Sequence, residues 1–272
     1  MLIVASNLLY AYFPFSIFSG KAIMNLSLVI ITLNEEDSVG RCIGSVTFAG
    51  EIIVVDSGST DATVAVAESN GAKLLFHEFQ DYSTQKQWAI KQASGDWILS
   101  LDADEYLNDE LAAEISSIVN SDTAHSGFSL PFRIQYMGRL MRFGPWSGES
   151  HVRLFRNGHA CFPNAGVHEG LKVSEGTTGD LGKGYVIHES YSSLSHQMEK
   201  MLQYSNLWAE EEFTKGRRSG LFKIVFRPAW RFLSAYLLRG GFLEGMPGLV
   251  SSIVSAYYVF LKWTILYEMK RH

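Results

Sequence analysis

Residues 96–105 read DWILSLDADE, a mostly apolar run that closes on three carboxylates, Asp102, Asp104 and Glu105. A short run of this kind reads as a strand buried on both faces, the type that parallel sheets require because crossover helices cover both sides. The same pattern recurs upstream. Residues 26–33 (LSLVIITL) lead into Asn34, Glu35, Glu36 and Asp37; residues 51–56 (EIIVVD) lead into SGSTDAT; residues 73–76 (KLLF) form a shorter third run. Helix-like stretches separate them, one reaching to about Phe48, the others over residues 63–71 and 83–93. This alternation predicts βαβ units and a doubly wound α/β domain with a mostly parallel central sheet.

Ligands of open α/β sheets bind beyond the carboxyl ends of the strands. Asn34, Asp56 and Asp102 all fall at predicted strand ends, so they are expected to face one crevice. Residues 56–61 (DSGSTD) lack both the glycine spacing of a dinucleotide fingerprint and the Gly-Lys-Ser/Thr of a P-loop, which disfavours a dehydrogenase or an NTPase. That turn also suits capping of the next helix by Thr60 or Asp61, which leaves Asp56 as its candidate ligand contact. Asp102 and Asp104, beside Glu105, form a hard-oxygen cluster suited to Mg²⁺ or Mn²⁺ completed by phosphate oxygens and water.

Four segments, LSLVIITLNEE, EIIVVDSGSTDAT, QKQWAIKQASGDWILSLDADE and NAGVHEGL, together resemble family 2 glycosyltransferases of GT-A fold, a nucleotide-sugar-binding fold. Within that family the sequence is most similar to the bacterial lipopolysaccharide core β-1,4-glucosyltransferase group. The usual pattern has two acidic residues at the end of the second strand, whereas Asp56 is followed here by Ser57. Asp56 is thus the residue carried over as nucleotide contact, and a role for Ser57 stays open.

The resemblance implies an inverting transfer of a hexose, glucose in the first place, from a nucleotide-diphosphate sugar such as UDP-glucose to a glycolipid acceptor such as lipopolysaccharide inner core. It implies that Asn34, Glu35 and Asp56 hold uridine and ribose. Asp102 and Asp104 would hold Mg²⁺ or Mn²⁺ on the diphosphate, with His188, after the apolar run 184–187, as third ligand or diphosphate contact. Lys86 would add positive charge near the phosphates, or else be a solvated helix lysine. Glu169 is the expected catalytic base and His168 the second candidate; the competing readings are a surface salt bridge for Glu169 and a core histidine for His168. Further strands are expected over residues 128–134 and 151–155, with a loop over 141–148. Of the arginines flanking Leu154 and Phe155, Arg153 is favoured over Arg156 for forking onto the diphosphate or an acidic acceptor. Cys42 and Cys161 have no metal-ligand spacing and read as buried thiols.

Charge divides the chain in two. Residues 1–214 carry 13 basic and 26 acidic side chains, net −13, whereas residues 215–272 carry 10 and 2, net +8, giving the overall −5. The chain is 272 residues long and 47% hydrophobic, enough for one sizeable domain with an appendage, and its mean hydropathy of +0.04 is high for a soluble one. The surplus lies in two places. Residues 1–24 open with twenty uncharged residues and read as an anchor or a start-site extension before the catalytic domain of residues 25–214. Residues 215–272 read as a basic, amphipathic, membrane-associating helical extension. There Lys223, Arg227 and Arg231 recur beside Phe222, Phe226 and Trp230, interrupted by Pro228, and residues 245–261 carry no charge. The expected surroundings are an anionic membrane surface on the cytoplasmic face and a lipid-linked acceptor, with no nucleic acid. A cap whose arginines pair with the acidic body is the alternative. Transfer to polyprenyl phosphate or to another envelope glycan or protein is the second functional reading. A sugar-1-phosphate nucleotidyltransferase and a noncatalytic scaffold fit less well.

Overall fold

The computed structural model describes residues 25–163, 170–191 and 193–269. The expectations placed on residues 1–24, and on His168 and Glu169, lie outside them.

The βα alternation is present as β1 (Leu26–Thr32), α1 (Val39–Gly44), β2 (Glu51–Asp56), α2 (Thr63–Ser69), β3 (Lys73–Phe76), α3 (Tyr82–Ile90) and β4 (Trp97–Asp102). The chain continues through β5 (Glu105–Leu107), α4 (Asp109–Val119), β6 (His125–Tyr136), β7 (Arg139–Leu140), β8 (Ser150–Arg156), β9 (Ala160–Cys161), β10 (Lys172–Val173), β11 (Thr177–Asp180) and β12 (Val186–His188). Three long helices close it: α5 (Leu194–Thr214), α6 (Leu221–Leu233) and α7 (Met246–Glu268).

The apolar runs are buried on both faces, as their lack of alternation requires. Leu28 and Ile30 of β1 join Leu99 and Leu101 against Val39, Cys42, Leu111 and Ile115, while Val29 joins Ile53, Ile98 and Phe155 against Ala89 and Ile90 on the other side. At about 25 cal/mol per Å² of apolar surface, these two layers are the main stabilising contribution. The main sheet has the order β3-β2-β1-β4-β8-β6-β12-β5. It is largely parallel but mixed: β8 runs antiparallel between β4 and β6, and β5 runs antiparallel to β12. The cause is connectivity. No helix lies between β6 and β8, and a strand that returns without a crossover must pair antiparallel.

Two other expectations are corrected. Cys42 is buried but Cys161 is exposed, because it sits in the two-residue ribbon of β9 and β10 rather than in the core. Pro228 does not interrupt α6, which runs through it. The missing N–H is tolerated because α6 packs along α7, whose contacts outweigh one lost backbone bond. Among the described residues α7 is the helix long and apolar enough, by length and composition alone, to cross a membrane. Its inner face packs on α5 through Trp208, Ala209, Trp263 and Leu266.

Candidate active site

β1, β2 and β4 end side by side, Thr32 opposite Asp56 and Ile31 opposite Asp102. A cleft of about 520 Å³ opens at this edge, lined from the strand ends by Asn34, Glu35, Ser57, Asp102 and Asp104. His188 and Lys86 also line it. The sequence-predicted strand ends therefore meet, but not every predicted side chain reaches the cleft in the same way.

Lys86 is far from a solvated helix lysine. Asp81 caps α3 by accepting from Thr84 N at 2.8 Å, and the helix so oriented buries Gln85 and Lys86. The Lys86 ammonium lies 2.8 Å from each oxygen of Asp102. Arg153 reaches the same carboxylate from β8 at 3.3 Å and donates to Glu105 at 2.5 Å; Glu105 in turn accepts from Asp102 N at 3.0 Å. Glu105 is 1% exposed and Lys86 is buried, so two cations and two anions form a network whose open member, Asp102, faces the cleft. Burial alone would raise the pKa of Asp102, but Lys86 and then Arg153 hold it well below the usual carboxylate range. Glu105 keeps a raised pKa because burial outweighs the attraction of Arg153. The Arg153 guanidinium bonds Asp102 and Glu105; its expected role toward a diphosphate or an acidic acceptor concerns groups outside this network.

Asp104 faces the opposite partner. Its Oδ2 lies 3.2 Å from Nε2 of His188, which β12 brings up by pairing with β5, His188 opposite Glu105. Burial disfavours the imidazolium, yet the Asp104 contact and the fields of Asp104, Glu105 and Asp102 push its pKa up to about 9. Two carboxylates and an imidazole on one cleft are a donor set that fits a hard divalent cation completed by phosphate oxygens. Among the described residues they are not gathered into a three-ligand cluster.

Asp56 is buried and turned into its own loop, accepting from Gly58 N at 2.8 Å, Ser59 N at 2.9 Å and Ser59 Oγ at 2.5 Å. Ser57 faces the cleft instead and accepts from Gln85 Nε2 at 3.0 Å. Asn34 adopts φ +55°, a left-handed conformation that asparagine tolerates, and its Oδ1 accepts from Thr60 N at 2.8 Å. Glu35 hydrogen-bonds Ser38 at 2.6 Å, and burial raises its pKa. The first and second strand-end loops are therefore knitted together by Asn34 and Ser59 before any ligand arrives.

Several cleft residues have no motif in the sequence. Phe79 and Tyr82 form an exposed edge-to-face pair, ring centres 5.0 Å apart, at the cleft. His196, Lys200 and Tyr204 come from α5, far along the chain. Their spacing of four residues was the available signal, since it puts all three on one helix face.

A family model described as glycosyl transferase family 2 matches residues 27–167. The chain is 31% identical over 249 residues to the lipopolysaccharide core biosynthesis glycosyltransferase LpsC of Rhizobium meliloti, covering 89% of this chain and 92% of that one. It is 27% identical to the low-salt glycan biosynthesis hexosyltransferase Agl6 of Haloferax volcanii, covering 88% of this chain and 60% of that one. Among solved structures, the mannosyltransferase PcManGT from Pyrobaculum calidifontis in complex with GDP-Man and Mn²⁺ shares the fold with a TM-score of 0.54 at 12% identity, over 91% of this chain and 88% of that one.

Proposed function

The chain belongs to glycosyl transferase family 2, and from that premise we propose that it is a divalent-metal-dependent enzyme transferring a hexose, glucose in the first place, from a nucleotide-diphosphate sugar to a glycolipid acceptor, with inversion. The observation that carries this reading is the convergence of Lys86–Asp102 and Asp104–His188 on one cleft at the strand ends. Asp102, Asp104 and His188 would hold Mg²⁺ or Mn²⁺, whose chemistry is to neutralise charge growing on the leaving diphosphate. Lys86 fixes Asp102 in its ionised form, and Arg153 with Glu105 orients it from behind. Asn34 and Glu35 would bind uridine and ribose, with Ser57 and the Phe79–Tyr82 pair in addition, whereas Asp56 shapes the loop that presents them. Glu169 would take the proton of the acceptor hydroxyl, with His168 as the second candidate.

The acceptor reading rests on the chain's likeness to the Rhizobium meliloti relative and on the C-terminal helices. Leu221, Phe222, Val225, Phe226, Trp230 and Leu233 of α6 are all exposed, a stripe that suits the interfacial region of a membrane. Part of the tail also caps the body: Lys215 and Arg217 pair with Glu211 and Glu212 at the end of α5, Arg231 and Arg239 donate to Pro145 O, and the body's Arg139 pairs with Glu244 of the tail, which leaves the α6 stripe facing outward. Both features support a peripheral enzyme on the cytoplasmic leaflet, acting on lipopolysaccharide inner core. The Haloferax volcanii relative, named for another glycan, favours a second reading in which the acceptor is a different envelope glycan or polyprenyl phosphate. Release of nucleoside diphosphate from a panel of sugar donors with Mn²⁺, with and without membrane extract as acceptor, tests the proposal. If Asp104→Ala and Glu169→Ala both turn over near the wild-type rate, it fails.

A further inference from the structure

A second cleft, of about 730 Å³, opens where α5, α6 and α7 converge. Its walls are tryptophans and cations: Trp208 from α5, Arg227, Trp230 and Arg231 from α6, Lys262 and Trp263 from α7. Arg217 and Arg239 join them, and the lining itself contains no acidic residue, although Arg217 pairs with Glu212 just outside it. Arg227 lies over the Trp263 ring at 4.6 Å and Lys262 over the Trp208 ring at 4.5 Å. Arg231 and Arg239 both donate to a single carbonyl, Pro145 O, at 3.2 and 3.3 Å. Among the described residues, none of Arg227, Arg231, Arg239 and Lys262 forms an ion pair with a carboxylate. Glu212, behind the wall, pairs with Arg217 and also attracts Lys262, but one carboxylate leaves five cations under-compensated, and an anion placed among them reduces their mutual repulsion.

The rim says which anion. Phe222, Phe226 and Trp230 line the cleft and are 68%, 58% and 63% exposed, so an apolar surface continues directly outward from the cations. A ligand that matches both has a phosphate head and hydrocarbon beside it. We infer that this cleft binds the phosphate headgroup of an anionic membrane lipid while the α6 stripe enters the acyl boundary. The inference rests on the membrane-associated reading above and gives that association a defined site. Placement supports a working role. His196, Lys200 and Tyr204 line the donor-side cleft and Trp208, one turn further along the same face of α5, lines this one. One helical turn is about 5.4 Å, so a seated headgroup brings the membrane surface close to the transfer cleft.

Full-length protein is mixed with vesicles of phosphatidylcholine alone or containing phosphatidylglycerol, and co-sedimentation is measured. The wild type is expected to partition strongly to the anionic vesicles. Arg227→Gln/Lys262→Gln should lose at least about twenty-five-fold, since each basic residue at the lipid surface contributes roughly fivefold and these two also contact the headgroup, whereas residues held away from that surface contribute less. Lys215→Gln/Arg218→Gln, equal in charge change but outside the cleft, should lose little. Equal losses in the two double variants, or none in either, would overturn the site. Fluorescence of the three cleft tryptophans should respond to short-chain phosphatidylglycerol and not to inorganic phosphate or short-chain phosphatidylcholine; an equal response to inorganic phosphate alone also overturns a lipid site. Thermal melts confirm that both double variants fold. Nucleoside-diphosphate release by the wild type in detergent, without vesicles, reports the transferase reading separately. Absent turnover with intact cleft-dependent lipid binding would sink that reading and leave this one standing.

Discussion

The Lys86 ammonium lies 2.8 Å from both oxygens of Asp102, and the lysine side chain is only 6% exposed. Breaking a buried pair from one side leaves the other charge unpaired, typically at a cost of about 3–5 kcal/mol. Arg153 stays on Asp102, so Lys86→Met is expected near the low end, and Lys86→Met/Asp102→Asn should recover part of the loss. Urea unfolding of the four chains checks this, and a double variant no more stable than Lys86→Met would show that the two residues are not coupled.

The pH behaviour of His188 follows from its raised pKa of about 9 against an ordinary 6.5. A group whose pKa is raised by folding stabilises fully below 6.5, and that stabilisation is lost as pH climbs through about 9. In metal-free buffer the stability difference between wild type and His188→Gln should therefore shrink over that window. A bound cation must displace the same proton, so Mn²⁺ affinity should rise about tenfold per pH unit across it. Calorimetry in buffers of different ionisation enthalpy reads the released proton; no proton release would remove His188 from the ligand set.

Exposed Phe79 and Tyr82 flank the cleft at the strand ends. Stacking of a nucleobase on an aromatic ring is worth about 1–3 kcal/mol by alanine substitution. Phe79→Ala or Tyr82→Ala is expected to weaken UDP binding between fivefold and a hundredfold while leaving the melting temperature nearly unchanged. Titration calorimetry with UDP and Mn²⁺ measures it.

Glu244 ties the helical part to the sheet domain. It accepts from Arg139 Nε at 2.5 Å, Arg142 N at 2.8 Å and Phe143 N at 3.0 Å, and these contacts outweigh burial to hold its pKa below the usual value. Glu244→Ala leaves two backbone donors unpaired, at about 1–3 kcal/mol. A depressed pKa gives stability that is present above the ordinary 4.5 and lost as pH falls through the folded value. Melting curves at pH 7 and pH 4 should therefore show a larger wild-type advantage at pH 7.

How much of this was legible in advance depended on the range of the forces involved. The strands β1 to β4, their helices and the shared edge where Asn34 and Asp102 emerge are dictated by short apolar runs, and a run of six residues carries that information locally. The division into an acidic body and a basic tail is equally a property of the sequence alone. Tertiary structure decided the direction of β8, because strand pairing depends on what lies between strands rather than on their composition. It also decided which polar groups line the cleft. Asp56 accepts hydrogen bonds from its own turn and Arg153 bonds Glu105, while Ser57 and the α5 side chains reach the cleft. Sequence supplies the charges, but a carboxylate's partner is chosen by distances of about 3 Å between elements far apart in the chain, and only the folded packing sets those distances.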